Sequence, residues 1–363
     1  MARRSADPDT NGPGRAATGT RRSDRFLAGL QDATRVVFVS HVQPDPDSLG
    51  SMLGLAHLVE HHLGKPTLIT RDGLISRAEN REMVEVLDLD LVPVDEVEWS
   101  DGDAVVMVDS QPKTGRHSIG DIPIYAVLDH HDTPGELDDV PFVDVRAQLG
   151  ATCTLVTKYL IEQEVPLTEV VATALFHGID TEITGYPREA CNADDEALME
   201  LYPLADKDRL ARIRNARLPQ SHFECLLQAL QSSFIYDRLI ISWVNLPQPE
   251  QAAEVVEFMI RFEEVDWALC VGTYEDKLIL SLRSALPDAR SGDILRQIVG
   301  KLGKAGGHDR RAGGAIPLQS VAPSFIEEVQ GELRRRTLKA LKIEDCRGQR
   351  LVPLREMLQN LQS

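Results

Sequence analysis

Three ionisable side chains are crowded into the stretch FVSHVQPDPDSLGS, residues 38–51. They are His41, Asp45 and Asp47, and they follow a run of β-branched and aromatic residues. Such groups repel one another or lose hydration unless a cation neutralises them, and a metal ion commonly does so. Imidazole nitrogen combined with carboxylate oxygen suits manganese, iron or zinc better than calcium. The stretch therefore predicts metal ligands.

The same stretch also has a purely structural interpretation. Asp45 and Asp47 alternate with Pro44 and Pro46, as in a turn, and Asp47 would then cap the helix that follows. This stretch alone leaves both interpretations open.

The elements around the stretch predict an α/β fold. Three short segments have the apolar pattern of buried strands: RVVFVS, AVVMVD and IPIYAVLD. Helical patterns lie between and after them, at 48–62, 76–87, 152–164 and 167–179. Strands that alternate with helices indicate a parallel sheet with crossover helices.

More ionisable residues come at the ends of these predicted strands. Asp109 ends the second strand, and Asp129, His130 and His131 end or follow the third. Open α/β sheets bind ligands beyond the carboxyl ends of their strands. We therefore expect these side chains to meet the first cluster at one edge of the sheet. With Asp109 shared, two ions about 3.5–4 Å apart become possible, a geometry that clamps the attacking and leaving oxygens of a phosphoryl group.

Composition narrows the class of protein. The 363 residues suffice for two or three domains, and the formal net charge is −18. Proteins that track long nucleic acids usually carry a basic surface, so we expect a small anionic ligand and no long duplex. No apolar run approaches the ~20 residues of a membrane-spanning helix, and the five cysteines include no C-x-x-C pair. We expect a cytoplasmic protein with no membrane attachment.

These patterns divide the chain into five segments. Residues 1–25 are polar and Arg-rich and are expected to form a disordered tail. Residues 26–190 carry the strand-end cluster, and 191–231 read as connecting helices. Residues 232–323 contain the strands RLIISWV, WALCVGTY and KLILSLRS and read as a smaller α/β domain, with a cleft between the two domains. Residues 324–363 read as a charged helical tail, which is compatible with a homodimer.

The motifs, in their order and spacing, resemble those of the DHH phosphoesterase superfamily. HVQPDPDSLGS, VDS and DHH look like its first three motifs, and GKAGGHDRRAGGAI resembles the glycine-histidine signature of its DHHA1 substrate-binding domain. The resemblance covers roughly residues 30 to 320 and points to the RecJ-like, two-domain bacterial proteins related to nanoRNase and pAp phosphatase. It implies an N-terminal parallel-sheet DHH domain and a smaller C-terminal α/β DHHA1 domain.

The resemblance also implies two manganese ions, with magnesium or cobalt as alternatives. His41, Asp45 and Asp109 would hold the first ion. Asp47, Asp109 and His130 would hold the second, with Asp109 bridging the pair.

Substrate contacts are implied in the same way. His131 would face the phosphate as a catalytic and substrate-binding residue, and Asp129 would orient the histidines as a catalytic residue. The remaining substrate-binding residues would come from the second domain: Arg283, Gly306, Gly307 and His308.

The fourth motif departs from the family pattern. Such proteins usually carry Thr-Asp-Thr after Gly-Ile, and that Asp ligates the second metal, whereas this chain has GIDTEITGYPR. The metal Asp aligns with Glu182, and Asp180 lies two residues earlier. The extra methylene of Glu moves the carboxylate by roughly one C–C bond, on the order of an ångström. Either Glu182 substitutes, or Asp180 swings in, or the second site is weak.

The sequence therefore predicts a manganese-dependent phosphoesterase that hydrolyses short oligonucleotides, 3′,5′-bisphosphate nucleotides or dinucleotides. One alternative is a nucleotide-binding protein whose catalysis is weak or lost through Glu182. Others are a RecJ-type single-strand exonuclease, which the net charge disfavours, and a pyrophosphatase or exopolyphosphatase, for which the second domain looks wrong.

Overall fold

The computed structural model describes residues 20–114, 117–132, 135–184, 190–307 and 309–352. The first unit is a parallel six-stranded sheet with the order β3-β2-β1-β4-β5-β6. Its elements, in chain order, are α1 (Arg22–Gly29), β1 (Arg35–Val39), α2 (Pro46–Leu63), β2 (Thr67–Arg71), α3 (Ala78–Val86), β3 (Val92–Pro93), β4 (Asp103–Val108), β5 (Ala126–Asp129), β6 (Phe142–Val145), α4 (Thr152–Glu162) and α5 (Glu169–Ile183). The strand order reverses between β1 and β4, which opens a crevice beyond their carboxyl ends.

Burial on both faces explains why β1 is a continuous apolar run. Val36 and Phe38 pack into the core that includes helices α1, α2, α4 and α5. Val37 and Val39 point the opposite way, into a smaller core under the loops that follow β3 and β4. Successive side chains of a strand alternate between faces, so a strand covered on both sides reads as uninterrupted Val, Ile and Leu.

Glycine lets α5 pass very close to the start of α2. A Cβ at Gly178 would lie 2.5 Å from Cys153 Sγ and 2.9 Å from the carbonyl oxygen of Pro46. Only a residue without a side chain tolerates this approach. This close contact fixes the position of the Asp47 backbone.

The second unit follows the connecting helices α6 (Asn192–Leu201), α7 (Lys207–Arg214) and α8 (Gln220–Ser232). Its sheet has seven strands in the order β11-β12-β10-β9-β8-β7-β13, in which only β8 and β9 pair in parallel. The elements are β7 (Phe234–Tyr236), β8 (Leu239–Asn245), α9 (Gln251–Met259), β9 (Trp267–Tyr274), β10 (Lys277–Ser284), α10 (Ser291–Val299), β11 (Lys304–Gly307), β12 (Arg311–Pro317), α11 (Pro323–Ala340) and β13 (Gln349–Arg350). Helix α9 covers one face, and α10 and α11 cover the other.

The α/β fold class is confirmed, but several element bounds differ. The third predicted strand begins at Ala126 rather than at residue 122, because its ladders with β4 and β6 start there. Helix α1 begins at Arg22, inside the segment expected to be disordered, since Phe26 is buried against the rings of Phe142 and Tyr159. Residues 341–352 are not helical, and β13 in that segment pairs with β7.

No helix within the described ranges is long and apolar enough to cross a membrane.

Candidate metal centre

Side chains from three neighbouring strands meet at the crevice. His41 and Asp45 follow β1, Asp109 follows β4, and His130 and His131 follow β5. Two groups of three have their possible ligand atoms within 4.8 Å of one another. One group is His41, Asp45 and Asp109, and the other is Asp109, His130 and His131.

The first group has the geometry of ligands to one ion. His41 Nε2 lies 3.5 Å from Asp45 Oδ2 and 3.5 Å from Asp109 Oδ2. His41 Nδ1 donates to the carbonyl oxygen of Val42 at 2.9 Å, which turns Nε2 towards the carboxylates. Donor atoms that share an ion at about 2.1 Å are themselves about 3 Å apart, so this spacing suits one metal.

The second group differs in part from the expected one. His130 Nε2 lies 3.5 Å from Asp109 Oδ1 and 3.7 Å from Asp47 Oδ2, as a shared ion would require. His131 is also close, with Nδ1 3.6 Å from Asp109 Oδ1. His130 Nδ1 donates to the carbonyl oxygen of Leu149 at 3.3 Å, which leaves Nε2 for the centre.

Asp109 belongs to both groups, and its backbone is held in an uncommon conformation. Its φ is +55°, in the left-handed region, directly after β4. Such strain is kept only where the surroundings impose it, often at functional sites. The hydroxyl of Ser48 donates to Oδ2 at 2.8 Å, and that of Thr152 donates to Oδ1 at 3.0 Å. The two oxygens are therefore fixed towards opposite groups, as a bridging ligand requires.

The capping interpretation of the first stretch applies to Asp45 and not to Asp47. Asp45 caps α2 by accepting from the backbone N–H of Ser48 at 3.0 Å. Asp47 lies within that helix and instead accepts from the backbone N–H groups of Thr152 and Cys153, both at 2.7 Å. The positive N-terminal end of α4 thus holds the Asp47 carboxylate in place.

Asp129 lies behind the histidines. One of its oxygens accepts from His131 Nδ1 at 2.7 Å and from the backbone N–H of His130 at 2.8 Å. The other accepts from Gln111 Nε2 at 2.8 Å. A buried carboxylate in this position fixes the tautomer and the orientation of an imidazole.

The charges at the centre are unbalanced without a cation. Burial raises the pKa of Asp47 well above its ordinary value, and the charges of Asp109 and Asp45 raise it further. Burial likewise raises the pKa of Glu182. Burial lowers the pKa of His41, but hydrogen bonds to Asp109 and Asp45 outweigh it and raise the pKa to about 10. Carboxylates that resist ionisation together are what divalent cations neutralise.

Glu182 and Asp180 point to different partners. Asp180 Oδ2 accepts from Arg214 Nη2 at 2.6 Å. Glu182 lies close enough to Asp45, His130 and Asp109 for their charges to shift its pKa. Both acidic residues of the fourth motif thus pair with an arginine, Asp180 with Arg214 and Glu182 with Arg311, and the charges of the centre act on Glu182.

The second unit supplies the opposite wall. A cavity of about 960 Å³ is lined by His41 and Asp45 on one side and by Arg283 and Arg311 on the other. A second cavity, of about 610 Å³, has His130 and His131 facing Gly307. Gly306 pairs with Gly313 in the β11–β12 ladder, and His308 lies outside the described residues.

Sequence reasoning missed two charged residues that line the larger cavity, and it expected at least one of Arg310 and Arg311 to be solvated surface. Arg77 precedes α3, Glu257 lies on α9, and Arg311 begins β12. Arg77 and Glu257 belong to no motif with recognisable spacing, and α9 itself was not predicted. Only the tertiary fold brings them to the crevice, where Arg311 Nη1 lies 3.4 Å from Glu182 Oε2.

Comparison with known proteins finds a family model and several relatives that are similar to this chain. The family model "DHH family, N-terminal domain" matches residues 35–179. An uncharacterized protein of Methanocaldococcus jannaschii is 26% identical over 286 residues, which cover 78% of this chain and 58% of that protein. The chain thus spans little more than half the length of that relative.

Two further comparisons cover most of the chain. A probable bifunctional oligoribonuclease and PAP phosphatase of Streptococcus mutans is 24% identical over 327 residues, or 85% of this chain and 97% of that protein. The crystal structure of an exopolyphosphatase-related protein from Bacteroides fragilis superposes with a TM-score of 0.71 at 16% identity, covering 88% of this chain and 97% of that one. The latter shows a shared fold. The segment that resembles the DHH family, residues 35–179, includes His41, Asp45, Asp109 and His130.

Proposed function

We propose that this chain is a metal-dependent phosphoesterase that hydrolyses short nucleotide substrates, namely oligonucleotides of a few residues, 3′,5′-bisphosphates or dinucleotides. The observation that carries the proposal is the sharing of Asp109 between two donor groups at the carboxyl edge of the sheet. The family match over residues 35–179 supports it, as does similarity to the S. mutans protein named above.

The donor sets fit divalent cations, with manganese preferred. Each combines imidazole nitrogen with carboxylate oxygen, and the buried acidic groups are unbalanced without positive charge. His41, Asp45 and Asp109 would hold one ion, and Asp47, Asp109, His130 and Glu182 the other. Bound there, two ions would polarise the phosphoryl group and lower the pKa of water.

The other residues of the site would position the substrate and stabilise its negative charge. Asp129 keeps His131 in one tautomer, so that the imidazole can meet the substrate phosphate in a fixed orientation. Arg283 and Arg311 present guanidinium groups from the facing wall, a geometry suited to phosphate oxygens. Gly307 brings backbone to the same cleft without a side chain. Holding the substrate between the walls supplies much of the rate by orientation alone.

A hydrolysis panel tests the proposal: pApA, a labelled trinucleotide, pAp, cyclic di-AMP and pyrophosphate, each with Mn²⁺ and with chelator. We expect Mn²⁺-dependent turnover of at least one nucleotide and none of pyrophosphate. Nucleotide binding without turnover at any Mn²⁺ concentration would instead identify a binding protein. Processive degradation of long single strands would identify an exonuclease.

A further inference from the structure

The two halves of the metal centre are held by different parts of the chain. In the first group, His41 Nδ1 donates to the carbonyl oxygen of Val42, and Asp45 accepts from the backbone N–H of Ser48. The hydroxyl of Ser48 also donates to Asp109 Oδ2. All of these bonds end on the loop and helix that follow β1, so this part of the chain fixes the first group.

The second group is held by residues 149–153, which we call the α4 entry segment. His130 Nδ1 donates to the carbonyl oxygen of the first residue of this segment. The hydroxyl of Thr152 donates to Asp109 Oδ1. The backbone N–H groups of the last two residues of the segment donate to Asp47. A shift of the segment would therefore move the ligands of the second group together.

Asp194 anchors the α4 entry segment from the side away from the centre. Both of its carboxylate oxygens accept from the backbone N–H of Gly150, at 3.1 and 3.0 Å. Its Oδ1 also accepts from the hydroxyl of Thr154 at 2.6 Å. Asp194 lies on α6, 44 residues further along the chain than Gly150, and its side chain is fully buried. Donors that share one buried carboxylate are held in fixed positions relative to it.

Asp194 also has a local role, which does not account for all of its contacts. It accepts from the backbone N–H of Cys191 at 2.7 Å and so closes the N-terminal end of its own helix, α6. A helix cap needs only a bond of this kind. The bonds from Gly150 and Thr154 are additional, and they join α6 to the segment that orients the second group.

We infer that Asp194 is a positioning residue for the second metal ion: through the α4 entry segment it orients the ligands of that ion, whereas the first ion does not depend on it. The inference rests on the proposed function for the presence of two ions. Removing a group that orients metal ligands from outside typically weakens metal binding by about 10–100-fold. One substitution on α6 should therefore separate the two ions.

Titration of the metal-free full chain with Mn²⁺, followed by calorimetry, tests the inference without any turnover. Asp47→Asn first identifies the binding step of the second ion, because Asp47 belongs to the ligands of that ion alone. Asp194→Ala should weaken this step by about 10–100-fold and leave the other step within about twofold of the wild type. Asp194→Asn keeps one accepting oxygen, so it should weaken the same step less. If the alanine variant does not fold, the asparagine variant decides the question.

Asp206→Ala is the matched control. The carboxylate of Asp206 caps α7 by accepting from two backbone N–H groups of that helix. Both alanine variants therefore lose a helix cap, and an effect of lost stability alone would be common to them. We expect Asp206→Ala to preserve both Mn²⁺ binding steps.

The inference is overturned if the Asp194 variants weaken neither step, or weaken the first-ion step as much as the second. It is also overturned if Asp206→Ala reproduces their effect, or if the wild-type chain binds fewer than two Mn²⁺ ions. The expected selective loss in a chain that hydrolyses no nucleotide would contradict the proposed function and leave the role of Asp194 standing.

Discussion

Arg311 of the second unit contacts Glu182 of the first unit across the cleft. Its Nη2 donates to the backbone carbonyl oxygen of Glu182 at 3.0 Å, and its Nη1 lies 3.4 Å from the carboxylate. Both cavities at the centre include these two residues in their walls. The contact therefore ties the wall of the second unit to Glu182 in the fourth motif.

Replacing each acidic residue of the fourth motif by its amide should separate the role of Glu182 from that of Asp180. Glu182→Gln removes the charge that faces Asp45 and His130, so we expect at least a hundredfold loss of kcat, as for removal of a group that stabilises the transition state. Asp180→Asn, beside Arg214, should change kcat less than about threefold. Steady-state rates with Mn²⁺ check this, and the reverse order of effects would assign the ligand to Asp180.

Metal removal should lower stability, because buried carboxylates are then left to repel one another. We expect Mn²⁺ at a hundred times its dissociation constant to add about 2.7 kcal/mol to the free energy of unfolding for each ion that binds. Asp109→Asn should abolish this gain, whereas Glu332→Gln, at an exposed carboxylate of α11, should keep it. Thermal unfolding with Mn²⁺ and with chelator measures the effect. An equal gain in Asp109→Asn would contradict a shared ligand.

A side chain at Gly178 should displace the backbone that carries Asp47, a residue of the metal centre. A methyl group there would press on Cys153 and on the backbone of Pro46 and Asp47. We expect Gly178→Ala to lower the free energy of unfolding by about 1–3 kcal/mol and to weaken Mn²⁺ binding. Gly331→Ala in α11 meets nothing within 4 Å and should be neutral or stabilising by up to about 1 kcal/mol. Similar unfolding curves for the two variants would refute this packing argument.

His177 should make stability depend on pH. It is 1% exposed, and burial together with the charge of Arg214 lowers its pKa to about 4. The unfolded chain binds the proton more readily, so this contribution is complete above pH 6.5 and is lost as the pH falls towards 4.

The variant His177→Leu should therefore lose about 1–3 kcal/mol less stability than the wild type between pH 7 and pH 4. His61→Leu, at an exposed position of α2, should show the wild-type pH dependence. Denaturant unfolding at several pH values provides the comparison. Parallel curves for His177→Leu and the wild type would show that this imidazole does not titrate on unfolding.

The positions of the strand-end residues could be predicted from the sequence, because each ionisable residue directly follows a strand that is easy to recognise by its apolar pattern. His41, Asp109 and His130 each follow a strongly apolar strand, and parallel strands bring their carboxyl ends to one edge. It did not predict β2, in which only Thr70 is buried and the apolar signal is weak. Nor did it predict the contact of Arg77 with Glu257, since residues 180 positions apart meet only through the packing of two units.

The dependence of pApA hydrolysis on Mn²⁺, in the wild type and in Asp109→Asn, tests the central claim most directly. The account predicts turnover that rises with Mn²⁺, vanishes in chelator and falls at least a thousandfold in the variant, because one carboxylate serves both donor groups. Wild-type turnover that persists in chelator, or a variant that keeps more than about a tenth of the rate, would contradict it.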